Sequence, residues 1–203
     1  SWVHVQVVAN IALKLLRDLV RKGAVPNAVQ DYGMRVEDAE VIVILGVLWH
    51  CTGMAVHRKG HEDWSLIIAG DGLPRMLEGL YEEPERTVVM AEVLHTINGH
   101  RSDGEPLTLE AGIVRVADAL DMAKGRSRIP FAEGSLSIHA LSAQAIERVS
   151  IRDGEARPVL IEVEMTNSAG VFQIDELLRR KIRGSGLEHW LEVVGRIEGE
   201  NER

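Results

Sequence analysis

A single cysteine, Cys51, in 203 residues excludes an intramolecular disulfide framework and suits a reducing, cytoplasmic setting. Aromatic residues make up only 4% of the chain, so aliphatic side chains must build the core. No uninterrupted apolar run reaches the ~18 residues of a membrane-spanning helix, and the greasiest stretch, Val41 to Trp49, stops well short. A signal-peptide pattern is missing, and the chain opens on Ser1 rather than Met, which leaves room for residues upstream. Nor is there a basic excess. Lys and Arg total 23 against 31 Asp and Glu, a formal net charge of −8, which argues against coating nucleic acid or an anionic membrane. Internal repeats and low-complexity tracts are absent.

What is present is a 45% apolar chain with two textures. Up to about residue 130 it reads as helix after helix. Val8, Ile11, Leu15 and Leu19 recur at helical spacing, and Lys22-Gly23 closes that helix. A second helix runs from about Val36 to Cys51. A third starts near His61, is broken by Gly70, Gly72 and Pro74, and leaves a short helix over Met76 to Tyr81. Pro84 opens the next helix, which stops at Asn98-Gly99, and Thr108 caps one from Leu109 to Lys124. Beyond Pro130, Leu136 and Ile138 alternate with polar residues as in a half-buried strand. Ile146 to Arg152 and Pro158 to Met165 flank Asp153-Gly154 as a hairpin, Val171 to Arg183 is helical, and Trp190 to Ile197 is a last strand. Glu198 to Arg203 reads as a frayed polar tail. The expected fold class is α+β. A helical domain spans 1–130 and a small α+β domain 131–203, with the boundary near Phe131 to Gly134 and an element order related to a ferredoxin-like unit.

Six of the eight histidines lie in the helical half. His4 falls on the apolar stripe of the first helix, His50 ends a nearly all-apolar helix, and Asp118 shares a helix face with Ala111, Val114 and Met122. His57 and His61 flank a helix start, while His95 and His100 lie at the end of another. Each polar group on an apolar face is costly unless paired or metal-bound. Taken singly, a buried histidine is more often hydrogen-bonded than ligating. Taken jointly, three helices that each turn a His or Asp inward point to a bundle that houses a metal.

The order His4, then His50 followed by residue 51, then Asp118, resembles the H…HD…D pattern of the HD-domain metal-dependent phosphohydrolases. "LGVLWHCTGM" is similar to the family's apolar helix ending in its His-Asp pair, and "VRVADALDMAKGR" to its last metal-binding helix, which implies Asp118 as ligand with Asp121 as neighbour. "HEDWSLIIA" and "INGHRSDGEPLTLEAGIVRVAD" resemble the two-metal branch that includes the diadenosine tetraphosphate hydrolases, which implies His61 and His100 at a second metal. The resemblance covers roughly residues 1 to 130 and extends to archaeal HD proteins.

Where that family carries its HD aspartate, this chain has Cys51. A thiolate favours Zn or Fe over Mg or Mn, so Cys51 is either a ligand biasing the centre or a small buried residue in a degenerate one. The resemblance implies a hydrolase using one or two divalent ions (Zn, Fe, Mn or Mg) held by His4, His50, Cys51, His61, His100 and Asp118. His61, His95, Arg101 and Asp121 are its candidates for catalytic work, with His57 as a further proton carrier. Arg58, Lys59, Lys124, Arg126 and Arg128 are cations near the site that read equally as solvated surface. The implied partner is a small phosphorylated substrate, nucleotides first, with neither membrane nor nucleic acid and with a homodimer compatible. The alternative is a non-catalytic nucleotide-binding or regulatory protein with a degenerate centre. Arg179, Arg180, Lys181 and Arg183, beside Gly184-Ser185-Gly186, are open to binding an anion, a nucleotide or RNA, but read more simply as cations favoured at a helix C-terminus, and His139 and His189 carry no role.

Overall fold

The computed structural model describes residues 1–101, 103–122 and 142–197. It is α+β, with a helical N-terminal part and a three-stranded sheet at the C-terminus. The helices are α1 (Trp2–Arg21), α2 (Asn27–Tyr32), α3 (Val36–Trp49), α4 (His61–Leu77), α5 (Glu85–Gly99) and α6 (Leu109–Leu120). The strands are β1 (Ile146–Asp153), β2 (Val159–Met165) and β3 (Leu191–Ile197), and α7, over residues 171–182, joins β2 to β3.

α3 is the hub and packs against α1, α5 and α6. Its Ala39, Ile42, Val43 and Val47 are fully buried, as are Val8, Ala12, Leu15, Leu16 and Leu19 of α1. With the turn that follows, Val36–Ala55 is long and apolar enough to cross a membrane by length and composition, at a mean hydropathy of 1.4. This corrects the expectation that no segment reaches that length, because the charges near its start do not offset the apolar residues behind them. Half of it is buried between neighbouring helices, as in a core helix.

Three expectations about helices are corrected. α4 runs unbroken through Gly70, Gly72 and Pro74 to Leu77, and no separate helix forms over Met76 to Tyr81. The fully buried Ala69, Leu73 and Leu77 hold that stretch against the core, and tertiary packing overrides the local cost of Gly and Pro. α6 stops at Leu120, where Asp121 leaves helical geometry at ψ 61°, rather than continuing to Lys124. α2 gave no local signal because its N-terminus is capped from afar: the buried carboxylate of Glu110 accepts the Asn27 and Ala28 N–H groups at 3.1 and 2.9 Å.

β1 and β2 form the expected antiparallel hairpin across Asp153-Gly154, with Ile151 opposite Ile161. β3 pairs parallel with β2, so the sheet order is β1-β2-β3. A ferredoxin-like unit would place another strand between two parallel strands joined by a helix. Here β2, α7 and β3 make an unsplit crossover, which corrects the ferredoxin-related order among the described strands. Val159, Ile161, Val163 and Met165 face inward, and one apolar cluster runs from these side chains through α7 into the helical part. The domain boundary near 131–134, the strand at Leu136 and Ile138, the cations Lys124, Arg126 and Arg128, His139 and the tail from Glu198 lie outside the described residues.

Candidate metal centre

Five helices deliver side chains to one point. α1 supplies His4 from its first turn, and the end of α3 supplies His50 and then Cys51. α4 opens with His61, α5 closes at His100, and the last turn of α6 carries Asp118. The Gly53 backbone lets α4 approach: a Cβ there would stand 1.9 Å from the His61 carbonyl oxygen, so only glycine allows His61 this close to Cys51. Asp118 Oδ1 lies 3.5 Å from Nε2 of both His4 and His50, and those two nitrogens are 3.2 Å apart. Cys51 Sγ lies 3.6 Å from His61 Nε2. The His100 ring stands edge-on to His50, with centroids 5.0 Å apart, and 6.0 Å from His61. Donor atoms of His4, His50 and Cys51 lie within 4.8 Å of one another, as do those of Cys51, His61 and His100. Cys51 is therefore the corner shared by two triads. The cluster floors a cleft of about 370 Å³ whose walls include Glu62 and Lys181.

The orientation of the imidazoles is set from behind. His50 Nδ1–H donates to the Val47 carbonyl at 2.7 Å, and His100 Nδ1–H to the Ile97 carbonyl at 2.5 Å, each one turn back at a helix end where carbonyls lack partners. His61 Nδ1 faces the Arg58 carbonyl at 3.1 Å. His4 Nδ1 faces the Asp121 carboxylate at 2.7 Å. All four rings thus spend Nδ1 on an acceptor and turn Nε2 toward the centre, the arrangement by which outer partners fix the tautomer of a metal-ligating histidine. With a carboxylate and a thiol beside them, these groups fit a metal ion, and they would hold it through Nε2, Oδ1 and Sγ.

The electrostatics follow the same geometry. Burial opposes charge on His50, but Asp118 and Cys51 reverse this and raise its pKa to about 10. Burial disfavours the Cys51 thiolate, yet hydrogen bonds from His100 and His50 bring the thiol down to about 6. Burial likewise opposes the Asp118 carboxylate, and His50, then His100 and Lys181, hold it well below the usual carboxylate range. Asp121 is pushed up to about 6 by burial and by Asp118.

Of the residues expected at the site, His4, His50, Cys51, His61, His100 and Asp118 converge. Asp121 stands behind His4 and orients it rather than facing the cleft. His95 is elsewhere: five residues before His100 it lies on another face of α5, where its Nε2 accepts the Leu107 N–H at 2.9 Å and ties down the α5–α6 loop. Arg101 is not among the residues that line the cleft and is paired with Asp63 at 2.6 Å and Asp103 at 3.3 Å. His57 is exposed and accepts the Lys59 N–H at 3.1 Å within its own loop. Arg58 and Lys59 are exposed, and His189 packs on Trp190.

Two further residues shape the centre: Lys181, which the sequence offers only as one cation of a basic cluster, and Arg115, for which it gives no signal. Lys181 of α7 lines the cleft, with Nζ donating to the His100 carbonyl and standing 3.9 Å from Asp118 Oδ2. The sequence held a signal for it. Arg179 pairs with Asp175 and Arg180 with Glu176, each one turn back, but Lys181 has Leu177 there. Arg115, buried on α6, donates to the carbonyls of Gly99, Arg101 and Gly104 at 3.1, 2.5 and 2.7 Å, and to that of Lys181 at 3.0 Å. It clamps the turn after His100 and α7 onto one helix.

No protein-family model and no solved structure matches the chain. Over 197 residues it is 43% identical to a protein of Methanocaldococcus jannaschii, covering 97% of this chain and 76% of that one. At that identity and coverage the chain belongs to the family of that archaeal relative, Uncharacterized protein MJ1020.

Proposed function

We propose that the chain is a metal-dependent phosphohydrolase of the HD type, acting on a nucleotide or related phosphate ester. The observation that carries this reading is the set of four histidines whose Nδ1 atoms are all engaged from behind and whose Nε2 atoms meet Asp118 and Cys51. The order of these residues along the chain, which resembles H…HD…D, supports it further. A divalent ion bound there supplies Lewis acidity, polarising a phosphoryl oxygen and activating water. The protein's own part is to hold donors, orient them and shape the cleft. Val47, Ile97 and Arg58 carbonyls and the Asp121 carboxylate fix ring orientation, so the imidazoles are already turned toward the centre.

Cys51 takes the place of the HD aspartate. Its membership of both triads supports a ligand role, with the thiol drawn toward thiolate by two imidazoles. The centre then prefers Zn or Fe to Mg. The test is metal analysis of purified protein beside hydrolysis of p-nitrophenyl phosphate and a panel of nucleotides, for the natural chain and for His50→Ala and Asp118→Asn. Bound Zn or Fe with turnover, both lost in the two variants, is the expected result. Protein that takes up no divalent ion would sink the reading, and metal without turnover on any ester would favour the regulatory alternative.

A further inference from the structure

The C-terminal part brings a cation to a centre built for cations. Lys181 lines the cleft, its side chain 19% exposed. An ammonium has three N–H donors. The His100 carbonyl takes one, and Asp118 Oδ2, at 3.9 Å, is beyond hydrogen-bond distance. Burial works against the charge on Lys181, and Asp118 supports it. As a stabilising ion pair this is a poor arrangement: Asp118 already faces two imidazoles at 3.5 Å. As a neighbour of a divalent ion it is worse, because like charges at this distance repel. Asp118 and the Cys51 thiolate balance the charge of one divalent ion, so the Lys181 ammonium gives a loaded donor set a net positive charge, with Glu62 of the cleft wall as the further anion.

We propose that Lys181 seats the oxygens of a dianionic phosphoryl group against the His/Asp/Cys cluster, which makes the C-terminal part a wall of the substrate site. An incoming phosphate dianion offsets that positive charge and can take the ammonium donors that no described residue engages. Among the described residues no aromatic ring other than imidazole lines the cleft, so this seat recognises the phosphoryl group itself rather than a stacked base. The placement is built rather than incidental. Arg115 holds the Lys181 carbonyl from α6, and a Cβ on Gly112 of the same helix would stand 2.1 Å from the Ser185 carbonyl oxygen, so the chain following α7 lies directly on α6.

This seat rests on the phosphohydrolase reading for its substrate, but its test does not depend on turnover. Inorganic phosphate binding to the metal-loaded full-length chain is measured by calorimetry for the natural protein, Lys181→Gln and Lys181→Arg, together with metal content, melting temperature and, where turnover exists, kcat and KM on p-nitrophenyl phosphate. Loss of one charge-assisted contact predicts phosphate affinity about 10- to 100-fold weaker in Lys181→Gln, with a matching rise in KM, unchanged metal content and most of the loss recovered by Lys181→Arg. Natural protein that binds metal and phosphate through Lys181 without turnover leaves the seat standing and removes the hydrolase reading. Equal phosphate affinity in the natural protein and Lys181→Gln, or no phosphate binding by the natural protein, overturns the seat. So does a Lys181→Gln variant that loses metal and stability without rescue by Lys181→Arg, since that marks a structural lysine.

Discussion

Uptake of a divalent ion by this cluster should expel a proton, and the proton should come from His50. With Nδ1 donating to Val47, the second proton of an imidazolium sits on Nε2, where the metal would bind. The raised pKa of about 10 keeps that proton in place at neutral pH, whereas Cys51, near 6, is already largely ionised. Between about pH 7 and about pH 9 one proton is therefore displaced per ion bound, and affinity rises about tenfold per pH unit, or about 1.4 kcal/mol. Below about pH 6 the Cys51 proton must leave as well and the dependence steepens further. Zinc competition against a chelator across this range gives the slope. Calorimetry in two buffers of different ionisation enthalpy counts the protons independently. An affinity that is flat from about pH 7 to about pH 9, with buffer-independent heats, would refute the reasoning and remove the His50–Asp118 pairing as its basis.

The metal-free protein should show the opposing signs of the same groups. His50, raised from 6.5 to about 10, contributes stability that is fully present below pH 6.5 and lost as pH rises through 10. Cys51, lowered from 9.0 to about 6, contributes stability present above pH 9 and lost as pH falls through 6. Across the shared window the two slopes oppose each other, so denaturant stability of the natural apo-protein is nearly level there. Cys51→Ala should unmask a decline with rising pH, at up to about 1.4 kcal/mol per unit, over a narrower window because Cys51 itself helps Asp118 raise His50.

Other substitutions separate the parts of the design. Cys51→Asp replaces a soft ligand by a hard one and should move the preference from Zn toward Mn or Mg; Co(II)-loaded protein should lose its thiolate charge-transfer absorption, and identical spectra in the two forms would exclude Cys51 as a ligand. Arg115→Met leaves the carbonyls of Gly99, Arg101, Gly104 and Lys181 without their donor and should cost about 3 kcal/mol or more, read as a lowered melting temperature. Gly112→Ala pushes a methyl group into the Ser185 carbonyl and should cost about 1–3 kcal/mol while weakening phosphate binding more than metal binding. A Gly112→Ala protein of unchanged stability would mean that α6 and the chain after α7 are not in contact.

The sequence made one half of this centre legible. His4, His50 and Asp118 stand out because each is polar on an otherwise apolar helix face, and helical periodicity carries that anomaly without any tertiary knowledge. The hairpin, the Thr108 cap and the helix ends at Arg21 and Gly99 were equally local. What remained hidden depends on contacts across the chain. α2 is capped by a residue 82 positions away, Pro74 is carried inside a helix by core packing, and His95 differs from His100 only in which face of α5 it occupies. Nor does spacing reveal that Cys51 is the shared corner of two triads, since that depends on the approach of α4 over Gly53.

The link between the two halves of the chain lies in α6, whose faces do different work. Asp118 turns to the cluster, while Gly112 and Arg115, one turn apart, take the C-terminal part. Arg115 and Asp118 are themselves three residues apart and so stand on neighbouring stripes of the helix. Whatever docks on Arg115 is consequently delivered beside the carboxylate, and Lys181, whose carbonyl Arg115 holds and whose ammonium reaches the His100 carbonyl, is what docks there. The same guanidinium holds Gly99, Arg101 and Gly104, the residues around His100. One buried arginine therefore sets the position of a histidine donor from the helical part and of a cation from the C-terminal part relative to a single carboxylate. The packing of the C-terminal part on α6 and the placing of Lys181 beside Asp118 therefore rest on the same contacts, those of Arg115 and Gly112.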